Sequence, residues 1–121
     1  KTAARNFSRW RMCVATRGKM DKLPDFSERM LASTRIECHY IYHRCFIADN
    51  QIIHEMNKLS GIPGVIVHGE NDLVCPPETA DTLHRAWPDS TLKMIPKTGH
   101  FDAEKDMKAA LIEVLNAWKP A

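Results

Sequence analysis

Two short apolar runs in the second half of the sequence each lead to a polar residue that could take part in acid–base chemistry. The run at 65–67 is followed by Asp72, and the run at 92–95 is followed by His100. Taken singly, these residues would be a turn aspartate and a loop histidine. An aspartate that accepts a hydrogen bond from a histidine ring, however, fixes the tautomer of the ring and stabilises its protonated form. The order strand, acid, helix, strand, histidine therefore predicts the orienting acid and the general base of a Ser-His-Asp triad.

A triad also needs a nucleophile, and the sequence contains no G-x-S-x-G, the turn on which many hydrolases present their serine. The five glycines stand at positions 18, 61, 64, 69 and 99, and no two of them are four residues apart. The first residue is Lys1. We therefore expect this chain to be the C-terminal part of a longer enzyme, with the serine outside it, and to be inactive by itself.

The composition of the chain and the spacing of its cysteines indicate its cellular compartment and whether it has a membrane partner. The 121 residues include 44% hydrophobic residues, which is enough for a core, but no apolar run approaches the roughly 20 residues of a membrane span. The four cysteines are irregularly spaced, and a chain of this size does not depend on a disulfide framework. These features predict reduced thiols, a cytoplasmic location and no membrane partner.

Basic residues are concentrated at the start of the chain. Residues 1–22 contain many lysines and arginines, with Asp21 as their only acid, whereas the whole chain has a net charge of only +2. Such a segment, with Phe7 and Trp10, could contact nucleic acid. A helix with a solvated basic face explains it more simply, so we expect no nucleic-acid partner and keep a basic, non-catalytic binding module as an alternative.

The pattern of apolar residues changes near Gly61 and predicts an α/β fold. Before it, helices are predicted over 2–16, over 26–31 after Pro24, over 33–46, and from Asp49 to Ser60. After it, the pattern predicts strands over 64–67 and 92–95, and helices from Pro77 to about Trp87 and over 104–118. This β-α-β-α order implies parallel strands covered by helices. Two parallel strands need neighbours, so further strands are expected upstream.

A second group of residues could bind a metal ion. His39 and His43 are four residues apart on a predicted helix, and Cys38 and Cys45 are close by, a spacing that can bind zinc. A fourth ligand at a suitable spacing is not evident, and the same segment contains Tyr40, Tyr42 and Phe46. We therefore expect these rings to pack together and expect no metal site here.

Several motifs of the chain resemble those of the proline iminopeptidases (prolyl aminopeptidases), serine peptidases with an α/β-hydrolase fold. The matching motifs are STRIECHY at 33–40, which resembles ARIExHYF; IPGVIVHG at 62–69 with DLVCP at 72–76, which resemble IPGVIVxGRYDxVCP; LHRAWP at 83–88, which resembles LHKAWP; and GH at 99–100, which matches the end of SGH. The resemblance extends from about Phe7 to Trp118. It implies a helical cap region at 1–60 and the C-terminal portion of the α/β-hydrolase catalytic domain at 61–121.

The resemblance also assigns roles. Asp72 would be the acid of the triad and His100 its base, and Glu37 would be a carboxylate that holds the free α-amino group of the substrate. The intact enzyme would release N-terminal proline from peptides, without a metal or another cofactor. Its partners would be peptides with N-terminal proline, and the missing N-terminal part of the enzyme or another copy of the chain. Cys75 resembles a family cysteine close to the substrate pocket.

One position departs from the family pattern. The family usually carries a second acid after a tryptophan, in the motif AWxxWE, whereas here Trp10 is followed by Arg11. This departure implies weaker or altered recognition of the substrate's amino group. Because the α/β-hydrolase fold supports many chemistries, an enzyme of this fold acting on esters or amides of other acids is the alternative enzymatic function.

Overall fold

The structure is a computed structural model of the 121-residue chain, and it describes residues 1–19 and 25–118. The chain divides into two compact units, Lys1–Gln51 and Ile52–Ala121. The predicted helix break at Pro24, and Asp21 and Lys22 of the basic segment, lie outside the described residues. Among the described residues, none of the helices has the length and apolar character that crossing a membrane requires.

The first unit contains two long helices, α1 (Thr2–Ala15) and α2 (Glu28–Tyr42). Ser27 begins α2, where its hydroxyl accepts a hydrogen bond from the backbone N–H of Met30 at 3.2 Å. The prediction of two separate helices, over 26–31 and 33–46, is therefore wrong. One helix, Glu28–Tyr42, spans most of both ranges without a break at Ala32, which is a strong helix former. It ends at Tyr42, before a 3₁₀ turn over Arg44–Phe46 whose residues have positive φ angles of 51 to 60°.

Side-chain pairs show that α1 and α2 run in the same direction. Along the two helices, Lys1 contacts Glu28 at 2.6 Å, Ser8 contacts Thr34 at 2.7 Å, and Arg11 contacts Glu37 at 3.0 Å. Each step along α1 is matched by a nearly equal step along α2, as parallel helices require. The two hydroxyls in the middle of this seam belong to residues that are only 2% and 3% exposed.

The chain continues through a short helix, α3 (Gln51–His54), and a 3₁₀ turn at Met56–Leu59. The single helix predicted from Asp49 to Ser60 is thus present only as two short turns. The chain then leaves the second turn at Gly61, whose φ of +79° is the left-handed conformation that favours glycine. The Gly61 N–H donates to the Asp89 carboxylate at 2.7 Å, which ties this segment to the turn before the second strand.

The second unit is a β-α-β-α arrangement, as predicted. Its elements are β1 (Gly64–Gly69), α4 (Pro77–Ala86), β2 (Ser90–Ile95) and α5 (Lys105–Ala117). The two strands are parallel, in a register that pairs Gly64 with Ser90 and Gly69 with Ile95. The prediction of parallel strands is confirmed, and each strand is two residues longer than predicted. A two-stranded parallel sheet with flanking helices is compatible with part of an α/β fold.

A small core holds α5 against the sheet. Ile95, Met107 and Ala110 are its buried members, and Val67 and Leu111 pack against them. At the start of β1, the ring of Trp87 lies so close to Gly64 that a Cβ atom there would collide with it. The Trp87 indole N–H donates to the carbonyl of Ile62 at 3.0 Å, so this ring fixes the entry of the chain into the sheet.

Thr34→Val tests the buried pair between α1 and α2. Valine has nearly the shape of threonine, but it leaves the Ser8 hydroxyl buried without its partner, which costs about 1 to 3 kcal/mol. Urea unfolding followed by circular dichroism should show this loss. The matched control is Thr82→Val in α4, whose exposed hydroxyl donates to the Glu78 carbonyl, and it should change the free energy of unfolding by less than about 0.5 kcal/mol. Equal losses in both variants would contradict a special role for the pair.

Candidate active site

Asp72 and His100 lie on the loops that follow the two strands. Asp72 comes three residues after the end of β1 at Gly69, and His100 comes five residues after the end of β2 at Ile95. Because the carboxyl ends of parallel strands lie at the same edge of a sheet, the two loops are neighbours. The Asn71 N–H donates to the Thr98 carbonyl at 2.9 Å, which joins the loops directly.

The close approach of these loops depends on Gly69. A Cβ atom at this position would collide with the backbone carbonyl groups of Thr98 and Gly99. Thr98 is 2% exposed, so this contact is closed to solvent. The Gly99 N–H donates to a carboxylate oxygen of Glu104 at 2.9 Å, which holds the turn from the side of α5. The backbone before His100 is therefore fixed by contacts on both sides.

The Asp72 carboxylate is buried and accepts hydrogen bonds on both oxygens. Oδ1 accepts from the backbone N–H groups of Val74 at 2.8 Å and Cys75 at 3.0 Å. Oδ2 accepts from Nδ1 of His100 at 2.9 Å. Only 5% of the Asp72 side chain is exposed, compared with 35% of the His100 side chain. The hydrogen bond to Asp72 places the proton of the ring on Nδ1 and leaves Nε2 as its basic nitrogen.

His68, on β1, supports the same loop. Its Nε2 lies 3.0 Å from the carbonyl oxygen of Cys75, to which it donates as the Nε2–H tautomer, and 3.9 Å from Asp72 Oδ2. We did not predict this role from the sequence, in which His68 is one of several histidines without a distinguishing context. The position of His68 near the end of a strand, four residues before Asp72, is the feature of the sequence from which this role could be predicted.

Hydrogen bonding keeps Asp72 ionised in spite of its burial. Burial alone would raise the pKa of its carboxyl group, but the Cys75 N–H, the His100 ring and the Val74 N–H together hold that pKa below the ordinary value of 3.8. Burial, and then the negative charge of Asp72, raise the pKa of the Cys75 thiol. Cys75 is therefore a protonated thiol at neutral pH and a weak nucleophile.

The structure also locates the other predicted residues. Glu37 lies on α2 of the first unit, and Arg11 Nη1 is 3.0 Å from its Oε2; their side chains are 28% and 42% exposed. The rings of His39 and His43 are 4.6 Å apart and both pack against Phe46. Within residues 1–19 and 25–118, neither histidine belongs to a group of three close potential metal ligands.

Asp72→Asn tests the ionised state of the carboxylate. Because the pKa of Asp72 is lower in the folded chain than in the unfolded chain, its ionisation stabilises the fold above the unfolded value near 3.8, and this contribution is lost as pH falls through the folded value. The stability difference between wild type and variant should therefore be largest near neutral pH and should shrink in acid. Urea unfolding across the pH range measures it.

Asp102→Asn, on the exposed turn before α5, is the matched control. It should change the free energy of unfolding by less than about 0.5 kcal/mol at every pH. A stability difference for Asp72→Asn that stays constant from neutral to acidic pH would show that the carboxylate is not preferentially ionised in the folded chain.

Curated proteins with similar sequences are named proline iminopeptidase. The chain is 42% identical to the protein of Xylella fastidiosa (strain 9a5c) over 83 residues, which are 68% of this chain and 26% of the relative. It is 38% identical to that of Xanthomonas citri over 89 residues, 73% of this chain and 28% of the relative. It is 32% identical to that of Arabidopsis thaliana over 114 residues, 91% of this chain and 30% of the relative. No family model matches the chain.

These relationships confirm the resemblance that the motifs indicate. The chain is homologous to part of the proline iminopeptidases and spans 26 to 30% of the length of these relatives.

Proposed function

We propose that this chain supplies the acid and the base of a serine aminopeptidase that releases N-terminal proline from peptides. Two findings support this function. Asp72 Oδ2 lies 2.9 Å from His100 Nδ1, at the edge of a parallel sheet. The proteins similar to the chain are named proline iminopeptidase. The first finding carries the chemistry, and the second carries the class of substrate.

The proposed reaction uses the free nitrogen of His100. His100 Nε2 takes the proton of a serine hydroxyl while the serine oxygen bonds to the carbonyl carbon of the substrate. The ring then gives this proton to the leaving amine as the peptide bond breaks, and a water molecule hydrolyses the acyl-enzyme by the same route. Asp72 stays ionised and stabilises the charged ring. Because the sequence has no G-x-S-x-G, the serine and the oxyanion-binding N–H groups would come from outside this chain.

Glu37 is proposed to hold the amino group of the substrate. An ammonium group that leaves water needs an anion beside it, and a partly buried carboxylate meets that need. In this chain the same carboxylate already contacts Arg11 at 3.0 Å. A substrate ammonium would therefore share Glu37 with a guanidinium group, or displace it. This contact favours weaker recognition of the amine, and it gives the alternative function, hydrolysis of esters or amides of other acids, a specific physical basis.

The proposed partners are the missing N-terminal part of the enzyme or another copy of the chain. The described sheet has only two strands, and many large apolar side chains stay exposed, among them Leu115 at 72% and Ile36 at 62%. Unpaired strand edges and exposed apolar side chains both favour association. A cytoplasmic location is proposed because all four cysteines are free and exposed, as a reducing compartment would keep them.

Three residues of the basic segment make side-chain contacts within the first unit. Lys1 pairs with Glu28, Arg11 pairs with Glu37, and the guanidinium of Arg5 lies 5.8 Å from the centre of the Phe26 ring. These contacts give three of the basic residues a role that needs no nucleic acid. We therefore prefer the enzyme to a basic binding module.

Asp72→Asn tests the catalytic assignment in the enzyme that joins this chain to its serine. The variant should lower kcat on a fluorogenic proline amide by about 10⁴-fold with little change in KM, because the ring loses control of its tautomer. Asp81→Asn, which removes an exposed salt bridge to Arg85 in α4, is the control and should leave both constants unchanged. The 121-residue chain alone should show no turnover. Full activity of Asp72→Asn would refute the assignment.

Glu37→Gln and Arg11→Gln test the amine site. Glu37→Gln should raise KM for proline amide, because the ammonium loses its anion. Arg11→Gln should lower KM by about fivefold, because it removes a competing cation whose pairing is worth up to ~1 kcal/mol. Lys1→Gln breaks a salt bridge in the same seam and serves as the control. An N-acetylated substrate has no ammonium and should not distinguish the variants. Unchanged KM values for both variants would exclude Glu37 from the amine site.

A further inference from the structure

Three different metal-binding groups meet beside the loop after β1. The carboxylate of Asp72, the thiol of Cys75 and the ring of His100 each place one potential ligand atom within 4.8 Å of the other two. Among the described residues, no other three potential metal ligands lie this close to one another. Sequence spacing did not reveal it, because Asp72 and Cys75 follow one strand and His100 follows the other.

The backbone of Cys75 is held from two sides. Its N–H donates to Asp72 Oδ1 at 3.0 Å, and its carbonyl oxygen lies 3.0 Å from Nε2 of His68. These contacts fix the cysteine next to the carboxylate. Cys75 as a whole residue is exposed, so the group lies at the protein surface, although its thiol is partly buried. The buried Asp72 carboxylate behind it supplies negative charge, and its two oxygens are already oriented by hydrogen bonds.

We propose that Asp72, Cys75 and His100 form a binding site for a thiophilic divalent cation of the Zn²⁺ and Cd²⁺ class. Sulfur, nitrogen and oxygen ligands together suit these ions, whereas Mg²⁺ and Ca²⁺ require oxygen ligands. Three protein ligands leave the fourth tetrahedral position for water. Bonds of about 2.0 to 2.3 Å place the ligands of such an ion roughly 3 to 4 Å apart. Because the three ligand atoms lie within 4.8 Å of one another, reaching these separations requires side-chain movements on the order of 1 Å. An exposed cysteine and a partly exposed histidine can make such movements.

Binding at this site changes the protonation of its ligands in a defined way. The thiol of Cys75 loses its proton to solvent when sulfur bonds to the ion. The ion takes the place of the proton between His100 Nδ1 and Asp72 Oδ2, and the ring carries its proton on Nε2 instead. One proton is therefore released overall. If the proposed peptidase mechanism holds, an ion at this position also inhibits it, because a protonated Nε2 cannot accept the proton of a serine. Ion binding itself does not depend on that mechanism.

Cadmium titration of the 121-residue chain tests the proposal. The starting protein carries Cys13→Ser, Cys38→Ser and Cys45→Ser, so that Cys75 is its only thiol, and the wild-type chain is titrated in parallel. We expect one Cd²⁺ per chain, an ultraviolet thiolate-to-cadmium charge-transfer band, displacement by Zn²⁺ and no displacement by Mg²⁺. Adding Cys75→Ser should abolish the band, and His100→Gln should weaken binding by about tenfold or more.

His39→Gln is the matched control, because His39 also lies beside a second histidine and near cysteines in the sequence. It should leave the affinity unchanged, and circular dichroism should show that every variant keeps its fold. Loss of binding in His39→Gln, or equal binding with and without His100, would overturn the proposal. So would the absence of a charge-transfer band in both the wild-type chain and the variant that retains Cys75. These measurements need no catalytic activity, so the proposed function and the ion site can fail separately.

Discussion

The hydrogen bonds of one buried carboxylate organise the candidate site. Burying the charge of Asp72 is unfavourable unless several donors surround it, and its donors come from the following turn and from the loop after the second strand. The same requirement therefore folds the turn at Val74 and Cys75 and orients the ring of His100. The hydrogen bonds of Asp72 thus stabilise its buried charge, set the shape of the loop and select the tautomer of the histidine. A change at Asp72 therefore affects all three together.

The sheet supplies the constraint that brings those donors together. A parallel register aligns the ends of β1 and β2, and Gly69 lets the backbone at Thr98 and Gly99 approach closely. The strand pattern and the identities of Asp72 and His100 could be predicted from the sequence, because each depends on short runs and local turns. The support from His68 and the close approach at Gly69 could not, because their partners lie on a loop that is distant in sequence.

The first unit shows the same division between local and tertiary information. The sequence pattern predicts helices there, but it wrongly places a boundary between two of them near Ala32. The structure has one helix through this position, where no proline or glycine is present to end it. Arg11 and Glu37 are each conspicuous in the sequence, one as a departure from the family motif and the other as a candidate for binding an amine. Their salt bridge follows from the parallel alignment of α1 and α2, which fixes the same offset at Ser8 and Thr34. The pairing of Glu37 with Arg11 therefore depends on how the two helices pack together.

The second unit has a small core, yet hydrogen bonds hold the side chains of its candidate site in place, and this difference has a physical explanation. Ile95, Met107 and Ala110 are the buried members of the core cluster in the second unit, and a two-stranded parallel sheet leaves apolar side chains exposed. The geometry of Asp72 and His100, in contrast, depends on backbone hydrogen bonds and close packing within two adjoining loops. Such local contacts hold as long as the register of the two strands holds. The relatives are more than three times as long as the matched segment. Further strands beside a parallel pair would supply the apolar contacts that secure its register. The geometry of the Asp72–His100 pair is therefore specified locally, while its stability depends on the sheet around it.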